Sequence, residues 1–160
     1  MACDAEELGS SAFQNCRKLT TLRLPKVKKI GILAFQGCTS LSSVELSDSL
    51  EVLEDFVFRG CVSLSEISLP VKQIGCSSFE GCKELKLVEM PHVKAVGDSA
   101  FEGCTALATW LGAQYLSSFG TCSNTFNSSS LKFIEAQLVF PECVAKGSRF
   151  KIWVWGRGRV

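Results

Sequence analysis

Nine cysteines and one histidine are the residues of this 160-residue chain with the widest chemical reach. Nine thiols admit three uses: disulfide pairing, metal ligation, or burial as small apolar groups. Five of them, Cys16, Cys38, Cys61, Cys82 and Cys104, recur every 21 to 23 residues. No Cys-x-x-Cys pair occurs, so a local zinc knuckle is not indicated. Equivalent residues of stacked units point the same way, which is poor disulfide geometry. The spacing therefore favours packing. Cys3, Cys76, Cys122 and Cys143 fall outside the column, and redox chemistry is to be sought there if anywhere. His92 follows Pro91 in a connecting segment, where a lone His is more often solvent-facing than catalytic. No nucleophile-elbow motif accompanies it. The expectation is no catalytic residue, no metal site and no cofactor.

The elements that carry the cysteines repeat with them. Each of the five lies three residues after a Phe: Phe13, Phe35, Phe58, Phe79 and Phe101. Each lies three residues before a Leu: Leu19, Leu41, Leu64, Leu85 and Leu107. An aliphatic residue opens each unit (Leu8, Ile30, Leu53, Ile74, Val96), and an apolar pair closes it (Leu22/Leu24, Val44/Leu46, Ile67/Leu69, Val88/Met90). From opening residue to the end of the pair is always 16 residues; only the connector varies. A constant block with a variable connector means one rigid coil and one tolerant loop. A fixed period near 22 is the sign of a solenoid, whose units bury their apolar faces only by stacking.

The alternation at the end of each unit predicts a short strand, and stacking makes these strands a parallel sheet. At ~4.8 Å per strand, five coils span roughly 25 Å. Pro25, Pro70 and Pro91 end three of the strands, because Pro donates nothing to a ladder. A second short extended piece is expected in the connector. The Gly-x-x-Ala-Phe-x-Gly-Cys stretch predicts one or two helical turns. Before each Cys stands Gly37, Gly60, Gly81 or Gly103, or Asn15 in the first unit. Gly and then Asn are the residues that best tolerate a left-handed backbone, so a positive φ is expected there.

Composition sets the outer bounds. Apolar residues are 46% and charged residues 21%, as in ordinary globular chains. Net charge is +1, which gives no global reason to bind nucleic acid or a membrane surface. No run of ~18 apolar residues exists for a membrane span. The acidic start, Met1 to Glu7, has no apolar signal-peptide core. A cytoplasmic location is the default expectation, with the cell surface as the alternative if the chain is a fragment.

These columns resemble the BspA-type leucine-rich repeat family. The resemblance is carried by Ile30-Gly31, Ala34-Phe35, Gly37-Cys38 and Leu41, and again by Val96-Gly97, Ala100-Phe101 and Gly103-Cys104. It implies an α/β leucine-rich-repeat solenoid, curved and right-handed. A parallel β-sheet would form its concave face, with short helical turns opposite. Members are often surface proteins that bind other proteins, so adhesion is an implied role.

Three regions are expected: a short N-terminal edge over 1–7, five repeats over 8–112, and a degenerate repeat with a cap or disordered tail over 113–160. Within the last, Leu131 and Ile134 keep the three-residue offset of a sixth strand, with Ser128 in the Cys position. The tail after Glu142 carries +5 and the rest −4. The tail's Trp153 and Trp155 suit a capping strand, and Arg157 and Arg159 are too few for a nucleic-acid signal. Asn127-x-Ser129 is a glycosylation sequon that matters only after secretion.

The best binding candidates are the variable strand positions on the concave face. One row is Thr21, Ser43, Glu66, Leu87 and Thr109; the other is Arg23, Glu45, Ser68 and Glu89. The acids make the face mildly acidic, which favours a protein partner over nucleic acid. A monomeric, non-enzymatic protein-binding module is the first expectation. The second is a structural fragment of a longer surface array with no site of its own. An enzyme is the third.

Overall fold

The computed structural model describes residues 4–112, 117–119 and 133–134. Each repeat gives two short strands. The longer set is β2 (Thr21–Leu24), β4 (Ser43–Leu46), β6 (Glu66–Ser68), β8 (Leu87–Glu89), β10 (Thr109–Leu111) and β12 (Phe133–Ile134). The shorter set, in the connectors, is β1 (Glu7–Leu8), β3 (Lys29–Ile30), β5 (Val52–Leu53), β7 (Gln73–Ile74), β9 (Ala95–Val96) and β11 (Ser118–Phe119). All pairing is parallel, between equivalent residues of successive coils: Thr21 beside Ser43, Ile67 beside Val88, Ile74 beside Val96. The second extended piece expected in the connector is therefore present. So is a sixth coil in part, since Phe133 and Ile134 pair with Thr109 and Trp110. The rest of the expected tail, with Cys122, Cys143, Trp153 and Trp155, lies outside the described residues, as does Cys3.

Inside the stack, the repeated columns form the core. Phe35, Phe58, Phe79 and Phe101 are fully buried, and neighbouring rings lie 5.2 to 5.6 Å apart, nearly parallel. Trp110 closes the column at 5.3 Å from Phe101. Leu41, Leu64, Leu85 and Leu107 are buried beside them. Burying each such side chain contributes about 1.5–3 kcal/mol before entropy is subtracted. In the first coil Phe13 and Leu19 are only half-buried. Among the described residues, Phe13 stacks on one ring alone.

The expected helical turns are absent: the described residues contain no helix. An α-helix needs every N–H to reach back four residues. Here alternate N–H groups reach back three residues, as from Ala34 to Gly31 and from Gln36 to Leu33. The intervening ones reach across to the next coil, from Leu33 to Asp55, Phe35 to Val57 and Gly37 to Arg59. The stretch is thus a third inter-coil ladder built from turns. Two left-handed residues per coil enforce it. One is the expected position before Cys, with φ of 60° at Asn15 and 71° to 73° at the four glycines. The other was not foreseen: Ser11, Leu33, Phe56, Ser77 and Ser99, with φ of 51° to 64°.

Both sheets are interrupted at one place. β2 pairs with β4 and β6 pairs with β8, but β4 and β6 form no ladder; nor do β3 and β5. The gap follows the longest connector, from Leu46 to Leu53. There Ser47 replaces the usual Pro, and its hydroxyl accepts a hydrogen bond from the Ser49 N–H. The turn ladder continues unbroken across the same boundary. Coils two and three are therefore held on the turn side and part on the sheet side.

Candidate functional site

Strand alternation puts one set of side chains in the core and the other outside. Leu22, Leu24, Ile67 and Val88 point in and are buried. Thr21, Arg23, Ser43, Glu45, Glu66, Ser68 and Glu89 are exposed; Leu87 and Thr109 are half-buried. Register brings these into two rows. Thr21 stands beside Ser43, Glu66 beside Leu87, and Leu87 beside Thr109. Arg23 stands beside Glu45, and Ser68 beside Glu89. The second row continues to Leu111, which the sequence reading omitted although the same spacing reaches it.

The charges on this face are not equivalent. Arg23 and Glu45 form an ion pair at 3.2 Å across β2 and β4. Glu66 and Glu89 enter none of the ion pairs among the described residues. A groove of about 310 Å³ opens where β4 and β6 part. Val44, Ile67 and Leu87 line it, together with Ser43, Glu66 and Glu89. Val44 and Leu46 are only half-buried here, unlike the matching pairs in the coils on either side. The sequence offered one signal for this groove, the long connector after β4.

The cysteine column lies elsewhere, under the turn ladder. Cys38, Cys61, Cys82 and Cys104 are buried free thiols, and Cys16 is exposed. Each buried thiol donates to the carbonyl oxygen of the Phe in the preceding coil, at 3.0 to 3.3 Å. Burial pushes the Cys38 thiol up to about 11 and those of Cys61 and Cys104 up to about 12; Cys82 is raised as well. These groups stay protonated donors at neutral pH, unlike reactive thiolates. Cys76 is half-buried, and its N–H is held by the Asp55 carboxylate at 2.7 Å. His92 is exposed in the β8–β9 connector. Among the described residues, no group of three His, Cys, Asp or Glu side chains is placed to hold a metal ion. No helix among them is long and apolar enough to cross a membrane.

A stack of parallel coils with in-register Phe, Cys and Leu columns is a leucine-rich-repeat solenoid. The chain belongs to the BspA type leucine rich repeat region family, whose model matches residues 6–132 as six copies. Three solved structures share the fold. A leucine rich repeat protein of T. pallidum is 28% identical with a TM-score of 0.57, over 71% of this chain and 66% of that one. A leucine rich cell surface protein from Faecalibacterium prausnitzii is 30% identical with a TM-score of 0.65, over 81% of this chain and 34% of that one. A leucine-rich repeat protein from Bacteroides ovatus, at 21% identity and a TM-score of 0.51, is similar in fold alone, over 86% of this chain and 50% of that one. The chain thus spans between 34% and 66% of the length of these structures. A comparison with curated protein sequences found no match.

Proposed function

We propose that this chain is a non-enzymatic protein-binding module, and that it binds through the exposed face of the longer strands. The observation that carries the reading is the set of exposed strand residues on a stacked scaffold, in register from Thr21 to Ser43 and Arg23 to Glu45 in one sheet and from Glu66 to Thr109 and Ser68 to Glu89 in the other. Rigid elements present side chains without a large ordering cost on binding. Carboxylates at Glu45, Glu66 and Glu89 suit a partner with basic groups and repel phosphate backbones. The likeness to a leucine rich cell surface protein supports an adhesive role at a cell surface.

The test is a pull-down with the purified chain and with a variant carrying Glu45→Lys, Glu66→Lys and Glu89→Lys. The reading expects the variant to lose the captured protein. Undiminished capture would remove this face from the account.

A further inference from the structure

We infer that the seam between β4 and β6 is a docking groove for an extended peptide that carries a Lys or Arg side chain. The inference rests on the sheet face being the binding surface, and it narrows that surface to one place and one chemistry. Three observations converge.

The first is the missing ladder. β4 is paired on one side, to β2, and β6 on one side, to β8. The facing edges of both strands lie outside any ladder. The two strands stay neighbours all the same, so a peptide would lie over the seam rather than pair between them. Elsewhere along the longer strands, neighbouring coils are joined by a ladder, so among the described residues the seam is the one gap between two longer strands.

The second is the apolar floor. Val44 and Leu87 are the half-buried apolar residues that line the groove; Ile67, also in its lining, points into the core. The methylene stem of a Lys or Arg packs on such a surface while its head stays wet.

The third is the charge at the rim. Glu66 and Glu89 sit diagonally on paired strands, both exposed and both outside the ion pairs of the described residues. Arg23, the one cation of the two rows, is engaged with Glu45. The groove therefore lacks a positive charge of its own and offers two carboxylates for one. Among the described residues, no third His, Cys, Asp or Glu joins these two to hold a metal ion. The two carboxylates suit a single ammonium or guanidinium group.

The test is selection of phage-displayed random nine-residue peptides on the immobilised full chain. Synthetic copies of the enriched peptides are then measured by fluorescence anisotropy. Enriched peptides are expected to carry Lys or Arg. Glu66→Gln combined with Glu89→Gln is expected to weaken each by about tenfold or more, the usual scale of a lost charge-assisted hydrogen bond. Thr21→Lys combined with Thr109→Lys, at the two ends of the same row, is expected to cost less affinity than the Gln pair. Enriched peptides without a cation, or no enrichment at all, overturn the seam and leave the face available to folded partners. Loss at Thr21 and Thr109 with no effect at Glu66 and Glu89 also overturns the seam and keeps the face. No effect from either pair overturns both. Self-association that the Gln variant abolishes, read by light scattering, assigns the groove to a second copy and overturns the peptide.

Discussion

The Cys61 thiol lies 3.3 Å from the carbonyl oxygen of Phe35 in the preceding coil and donates to it. The same bond joins Cys38 to Phe13, Cys82 to Phe58 and Cys104 to Phe79. The column is thus a ladder of side-chain donors beneath the turn ladder. It explains why a small, apolar residue with a weak donor recurs where Ala would fill less space and donate nothing.

Cys82→Ala removes both a buried sulfur and its donor, at an expected cost of about 1–3 kcal/mol. Cys16→Ala, at an exposed site, is expected to stay within about 0.5 kcal/mol. Urea unfolding followed by circular dichroism distinguishes them, and equal costs would contradict the ladder.

The raised thiols also set a pH dependence. Unfolded thiols titrate near their ordinary value of 9.0, the folded ones near 11 to 12. The unfolded chain therefore sheds protons first. The stability from this source is complete below pH 9 and is lost as pH rises from 9 towards 12. Denaturant midpoints measured from pH 8 to pH 11 are expected to fall, with a shallower slope in a Cys61→Ser variant. At pH 8, alkylation mass spectrometry is expected to mark Cys16 and Cys76 well before the buried four.

Two glycines should respond to Ala for different reasons. At Gly97 a Cβ would sit 2.6 Å from the Cys76 backbone nitrogen, a clash with main chain that cannot rotate away. At Gly60 the nearest backbone atom is 3.9 Å off, but φ is +71°. Gly60→Ala is expected to cost about 1–2 kcal/mol, the left-handed penalty alone. Gly97→Ala is expected to cost more, because the coils must move apart. Thermal melts of the two variants check the order.

Charge reversal on the sheet face should leave the fold intact. Arg23 and Glu45 are both exposed, and such pairs contribute about 0–1 kcal/mol. The triple Lys variant at Glu45, Glu66 and Glu89 is expected to unfold within about 1 kcal/mol of the parent chain in urea. A larger loss would mean that the face supports the stack rather than a partner.

Much of this was legible in the residues. The Phe, Cys and Leu columns specified the stacked core, the alternating pairs gave the strands, and the Gly or Asn before each Cys marked a real left-handed position. The turn stretch was misread as helical because Ala-Phe-x-Gly-Cys carries no local sign that its N–H groups alternate between two partners. The second left-handed residue is Ser, Leu or Phe, types that do not announce positive φ. The thiol donors depend on the stacking distance, and the seam depends on how one longer connector is absorbed. Both are properties of neighbouring coils rather than of any one unit. The two exposed rows were readable as strand positions, but the pairing of Arg23 with Glu45, and hence the difference between Glu45 and its fellow acids, required the register.

Amide hydrogen exchange of the chain, alone and with the partner recovered by pull-down, tests the central claim most directly. The account predicts that binding slows exchange in Ser43–Leu46, Glu66–Ser68 and Leu87–Glu89, while the turn ladder from Gly31 to Cys38 and its equivalents is unchanged. Protection on the turn ladder with none in the longer strands would contradict it.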